Sequence, residues 1–116
     1  MRWTAAALGL AACQPGSGPT IDRVEPVQAA RGATVTVRGE GFCGEGRSVG
    51  DGSCEPLPPG SVDVGLELPM ARALVQSWGE QSITVTVPDA ARLGETVVIV
   101  TVDGRSSNGG DFEVLP

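Results

Sequence analysis

The chain of 116 residues contains no lysine and no histidine, and all eight of its cations are arginines. The side chains that most often move protons or attack as activated nucleophiles at neutral pH are therefore missing, and catalysis has almost nothing to stand on. The lack of imidazole also removes a principal zinc ligand, and the three cysteines do not cluster at metal-binding spacing. Fourteen acids against eight arginines leave a net charge of −6, which repels polyanions and argues against nucleic acid as a partner. Aromatics are reduced to Trp3, Phe42, Trp78 and Phe112, so a stacking site for sugars has few candidates. No apolar run approaches the roughly 20 residues that a membrane-spanning helix needs.

What is abundant is Val, Thr, Gly and Pro, the composition of short strands joined by tight turns. Alternation of apolar and polar residues marks the strands: IDRVE from Ile21, ATVTVRG with Val35 and Val37 on one face, and QSITVTVP with Ile83, Val85 and Val87 on one face. SVDVGLEL puts Val62, Val64, Leu66 and Leu68 on one side, with Asp63, Gly65 and Glu67 on the other. ARALVQSW reads as a short irregular strand, and DAARLGE as one helical turn closed by Gly94. ETVVIVTVDG and DFEVL complete the set, with Asp103-Gly104 opening a turn. About seven strands without a crossover helix predict an all-β fold, a sandwich of two packed antiparallel sheets.

A literal GxGxxG, Gly39, Gly41 and Gly44, follows a strand. A dinucleotide site needs its third glycine to open a helix, whose N-terminus binds the pyrophosphate. Here EGRSVGDGSCEPLPPG follows, and its glycines and prolines cost a helix about 1 and 3 kcal/mol each. The motif therefore reads as a glycine-rich turn, and no cofactor is expected. Calcium would draw on Asp51 and Glu55 or on the DGRSSNGGD turn, but neither follows the ligand order of a calcium loop, so no metal is expected. Asp63 and Glu67 pair formally as carboxylates on one strand face, an arrangement far commoner on solvated surfaces than in glycosidases. Phe42 and Trp78 are read as core.

The N-terminus MRWTAAALGLAAC has one early cation, an Ala/Leu run and small residues before Cys13, the plan of a secretory signal. Leu10, Ala11, Ala12 and Cys13 resemble the lipobox of bacterial lipoproteins, in which the signal is cut before the cysteine and that cysteine is acylated. The resemblance implies a signal peptide over 1–12, a lipidated Cys13 with a flexible tether to 20, and an extracytoplasmic, membrane-anchored protein. Gln14 after the cysteine resembles the outer-membrane sorting class. An acylated Cys13 leaves Cys43 and Cys54 as a pair, and in an oxidising compartment they are expected to form a disulfide closing the loop 43–54.

The order of motifs in the domain, 21–116, resembles the IPT/TIG family, whose fold is immunoglobulin-like. The residues that carry it are Pro19, Ile21 and Pro26; Gly39, Gly41 and Phe42; Ser77 and Trp78; Ile83 to Pro88; Gly94; Ser107 and Asn108; and Phe112. The segment from Cys43 to Gly60 is additional to the family pattern. Within TVVIVTV, Val98, Val100 and Val102 fill the core, which leaves Val97 and Ile99 on the outer face of a central strand. Framed by Asp63, Glu67 and Glu113, these two form an expected docking strip for a partner, although single exposed aliphatics also follow from β propensity alone. The expected function is a non-catalytic envelope module for protein binding or structural support, with a glycan-binding module as the alternative and an enzyme as a distant third.

Overall fold

A computed structural model describes residues 18–116. The signal segment and Cys13 lie outside the described residues. Within them the fold is all-β, with two sheets packed face to face over a valine-rich core.

The first sheet takes β1 (Thr20–Glu25), β3 (Thr34–Glu40), β9 (Ser82–Thr86) and β8 (Leu74–Trp78), in the order β1-β3-β9-β8. The second takes β2 (Gln28–Ala30), β12 (Gly110–Leu115), β10 (Gly94–Val102), β6 (Gly60–Val64) and β7 (Ala71–Arg72), in that order, and β11 (Arg105–Ser106) also pairs with β10. All pairings are antiparallel except β2 with β12. A separate ribbon, β4 (Arg47–Ser48) with β5 (Cys54–Glu55), stands in the additional segment.

The period-two pattern dictates which side chains enter the core. Val35 and Val37 on β3, Ile83 and Val85 on β9, and Val98, Val100 and Val102 on β10 are all buried, with Phe42, Val62, Phe112 and Val114 between them. Burying each such side chain is worth roughly 1.5–3 kcal/mol against leaving it in water. The sheets are joined at one edge by Asn108, whose amide oxygen accepts from Ile21 N at 2.8 Å while its nitrogen donates to Ile21 O at 3.0 Å.

Two expectations need correction. The alternation in SVDVGLEL does not continue as strand: β6 ends at Val64, and Leu66 and Leu68 are 68% and 84% exposed. The cause is Gly65, whose φ of +155° turns the backbone so that β7 can fold back with Arg72 opposite Asp63. DAARLGE forms no helical turn; a hydrogen bond from Ala91 N to Pro88 O closes a tight turn, and Gly94, at φ +106°, opens β10 directly.

Candidate functional site

The molecule has two ends. Thr20, the end of β3, the turn between β8 and β9, and the end of β10 gather at one of them, together with the additional segment 43–59. The loops 65–70 and 87–93 form the other.

At the first end the glycines of GxGxxG have structural duties. A Cβ on Gly39 would run into the Thr20 carbonyl, so β1 can approach only a glycine there. Gly44 holds φ +59° against Asp103, the first residue of the β10–β11 turn. No helix follows and no phosphate site forms: the N–H groups of Gly41 and Cys43 both donate to Glu80, at 3.0 Å each. Charge-assisted bonds of this kind are worth about 1.5–3 kcal/mol.

Cys43 and Cys54 are joined in a disulfide with Cα atoms 5.1 Å apart, as the cysteine count predicts. Cys43 is fully buried beside Phe42, so the bond ties the ribbon to the core. The tip of the ribbon is shaped by Asp51, which accepts from Ser53 N at 3.0 Å and from Ser53 Oγ at 2.6 Å. The Ser53 hydroxyl first, and its N–H second, hold the Asp51 carboxyl below its ordinary value. Against the sheet, the ribbon is fixed by a bridge between Ser53 and Gly79 and by a bond from Glu80 N to Gly52 O at 2.9 Å.

The ribbon therefore stands as a wall beside the four-stranded sheet and encloses a cleft of about 640 Å³. Arg38, Ser48, Asp51, Ser53, Trp78 and Gln81 are among its lining residues. Trp78 is half-buried: its ring packs over Gly60, and its indole N–H donates to Phe42 O at 2.7 Å. It joins the core in part, as expected, and also contributes to the cleft; Phe42 is wholly interior. Arg38 is paired with Glu25, and Arg23 bonds the same carboxylate from the other side. These two arginines, Arg38 first, keep Glu25 below its usual range.

On the opposite sheet β10 runs between β6 and β12. Ile99 stands opposite Asp63, and Val97 opposite Asp111. Both aliphatics are half-buried, and the Gly109 backbone leans on Val97, leaving 3.1 Å from an added Cβ to that of Val97. Asp63 is 9% exposed and receives Arg72 Nε at 2.8 Å. Glu113 faces Glu95 across the β10–β12 pair, and Glu67 lies in the exposed loop beyond β6. Asp63 thus frames the strip directly, Glu113 stands two pairs beyond Val97, and Glu67 is not in either strand. Among the described residues no group of three His, Cys, Asp or Glu is placed to hold a metal ion.

Sequence reasoning gave no sign of Arg72 as the partner of Asp63, because the two meet only through the reversal at Gly65. It also missed Glu80, whose role depends on a turn far along the chain.

Among curated proteins none matches the chain significantly. Solved structures do. A γ-CGTase from Alkalophilic bacillus clarkii aligns with 30% identity and a TM-score of 0.63 over 89% of this chain, which covers 13% of that one. A protein of unknown function from Bacteroides thetaiotaomicron aligns at 19% identity and a TM-score of 0.64, over 90% of this chain and 23% of the other. An auxiliary nutrient binding protein from the same organism aligns at 16% and 0.58, over 89% and 22%. This chain therefore spans less than a quarter of each of these larger polypeptides, and the last two likenesses concern the fold alone. The IPT/TIG domain profile matches residues 19–114, nearly the whole described region, and the chain belongs to that family.

Proposed function

We propose that the chain is a non-catalytic binding module of the bacterial cell envelope, tethered by acyl chains on Cys13 and taking its ligand in the cleft beside the ribbon. The observation that carries this reading is the fixing of the ribbon by the disulfide, the Glu80 carboxylate and the bridge to Gly79. A wall set in place beforehand lowers the ordering cost of binding. A structural disulfide suits an oxidising compartment, which supports export. In the γ-CGTase the matching region is 13% of a larger chain, which supports a module that accompanies other activities rather than one that performs them.

A second reading, docking of a protein on Val97 and Ile99 with Asp63, Glu67 and Glu113 around them, draws on one specific observation. Among the described strands β10 is the only one with valine or isoleucine on both faces at its centre, and its outer pair is not fully covered.

Mass spectrometry of protein purified from host membranes is expected to show Cys13 as the first residue, with acyl chains attached. At about 0.8 kcal/mol per buried methylene, two or more chains hold the protein at the bilayer. An uncut N-terminus with a free Cys13 thiol would overturn the anchoring. Co-sedimentation of the Cys13→Ser protein, which carries no acyl chains, with isolated envelope material is expected to retain it, and the same protein with Cys43→Ser and Cys54→Ser added is expected to be released. Equal retention of both would remove the cleft from the function.

A further inference from the structure

Each charge lining the cleft is already answered within the protein. Arg38 bonds Glu25, Asp51 is taken up by the N–H and hydroxyl of Ser53, and both Glu80 oxygens accept backbone N–H groups. Beside these charges stand neutral groups that can meet a ligand: the hydroxyls of Ser48, Ser77 and Ser82, the amide of Gln81, and the part of Trp78 left uncovered. The charges there are of both signs, Arg38 against Asp51 and Glu80, so a ligand of either charge meets repulsion as well as attraction. A ligand with many hydroxyls and no charge would find both donors and acceptors.

The neutral surface does not stop at the cleft. Below Ser82, the outer side of the same sheet carries Thr36 opposite Thr84 and Thr34 opposite Thr86, two threonine pairs in register on neighbouring strands. Gln76 Nε2 donates to Thr86 Oγ1 at 2.7 Å and to Thr34 Oγ1 at 3.3 Å, so the last pair is bridged from β8. Ser82 to Thr86 covers about 14 Å of strand at ~3.4 Å per residue, about the length of three pyranose rings. Strand spacing of ~4.8 Å sets the hydroxyl columns side by side on one flat face. Cleft and threonine pairs together make one continuous track of neutral hydrogen-bonding groups, crossed by Arg38 opposite Ser82, closed at one end by the ribbon and open at the other.

We propose that this track binds an extended, uncharged polysaccharide chain, with its end or a branch seated in the cleft beside Trp78. The proposal rests on the reading of the chain as a binding module and names its ligand class. Sugar hydroxyls replace water on the serine, threonine and glutamine groups. A C–H face of one ring lies against the exposed portion of the indole. The ribbon decides polarity, because only one direction of the chain fits its closed end. A lone half-buried aromatic and neutral hydrogen bonds imply weak binding per site, suited to a protein held at high local concentration on a surface.

The test titrates the purified full-length chain with maltoheptaose, cellohexaose and chitohexaose, with dextran sulfate as the charged control, by calorimetry. At least one uncharged oligosaccharide is expected to bind and dextran sulfate to bind no better than buffer. Thr36→Val with Thr84→Val keeps side-chain shape and removes two hydroxyls; Ser48→Ala with Gln81→Ala alters two exposed cleft residues. Each pair should weaken binding by about fivefold, the loss expected for one or two neutral hydrogen bonds, with an unchanged unfolding temperature. Failure of all three sugars, undiminished affinity in both variants, or preference for dextran sulfate overturns the proposal. If the Cys13→Ser protein is retained on envelope material while no sugar binds, the module reading stands and the glycan falls. If neither occurs, both fall.

Discussion

The two outer faces of this sandwich are made by strands with nearly the same inward pattern, and they differ in what the other half of each pattern carries. On the four-stranded sheet, TVT of β3 and TVT of β9 turn valines inward and threonines outward, giving a flat hydroxyl surface. On the other sheet, β10 turns Val97 and Ile99 outward, beside Asp63 and Asp111. The first face is walled by a disulfide-fixed ribbon, and its arginines Arg23 and Arg38 share the carboxylate of Glu25. The second has its one inner acid, Asp63, tied to Arg72, while Glu95, Asp111 and Glu113 stand without an arginine among the described ion pairs. The core requires only that one residue in two be apolar. Function therefore has to be sought in the alternate residues, where the core places no demand.

The largest expected effect breaks the first face alone. Replacing Cys43 and Cys54 by serine should lower unfolding free energy in denaturant by about 2–4 kcal/mol, since the closed loop no longer restricts the unfolded chain. The β-sheet circular dichroism of the reduced-loop protein should persist, because no ladder of either sheet passes through the ribbon. Collapse of the whole fold would mean that the ribbon is part of the core. Next, Arg72→Met leaves the Asp63 carboxylate without its partner on the second face. A loss of about 1.5–3 kcal/mol in thermal or chemical unfolding is expected, the usual range for a hydrogen bond to a charged group, reduced by the exposure of Arg72. Sugar affinity should not change. A third change, Val97→Asp with Ile99→Asp, should leave the fold in place and sugar binding intact while abolishing any protein capture through that strip; an unfolded variant would mean that both side chains belong to the core.

The smallest effect is acid sensitivity. Glu25 and Asp51 both have folded values held below their ordinary 4.5 and 3.8. Stability from a depressed carboxyl is present above the unfolded value and is lost as pH falls through the folded one. Unfolding temperature should therefore decline from about pH 5 downward, and less steeply in a Glu25→Gln, Asp51→Asn variant. An identical decline in both proteins would assign the acid response to other carboxylates.

Much of the sandwich was legible in the sequence because β3 and β9 obey strict alternation, β10 is a long β-branched run, and each is followed closely by turn residues. The disulfide was legible from cysteine parity once Cys13 was set aside. β2 was not, since Gln28-Ala29-Ala30 has one small buried residue and gains its strand character only by lying parallel to β12. The overrun of SVDVGLEL into Leu66 and Leu68 shows why alternation alone misleads: the pattern continues, but a single glycine reverses the backbone before it can be used. The cleft was illegible for a different reason. Its wall contains only exposed and half-buried residues, and its supports, Glu80 and Gly79, come from a turn distant in sequence that meets it only in the folded chain.

The most direct measurement is a nuclear magnetic resonance titration of the isotope-labelled protein with the best-bound uncharged oligosaccharide, following backbone amides on both faces at once. The account predicts shifts confined to Thr34 to Arg38, Ser48 to Ser53 and Gln76 to Thr86, with the amides of Glu95 to Ile99 and Asp111 to Glu113 unmoved. Shifts centred on Val97 and Ile99, or none at saturating sugar, would contradict it.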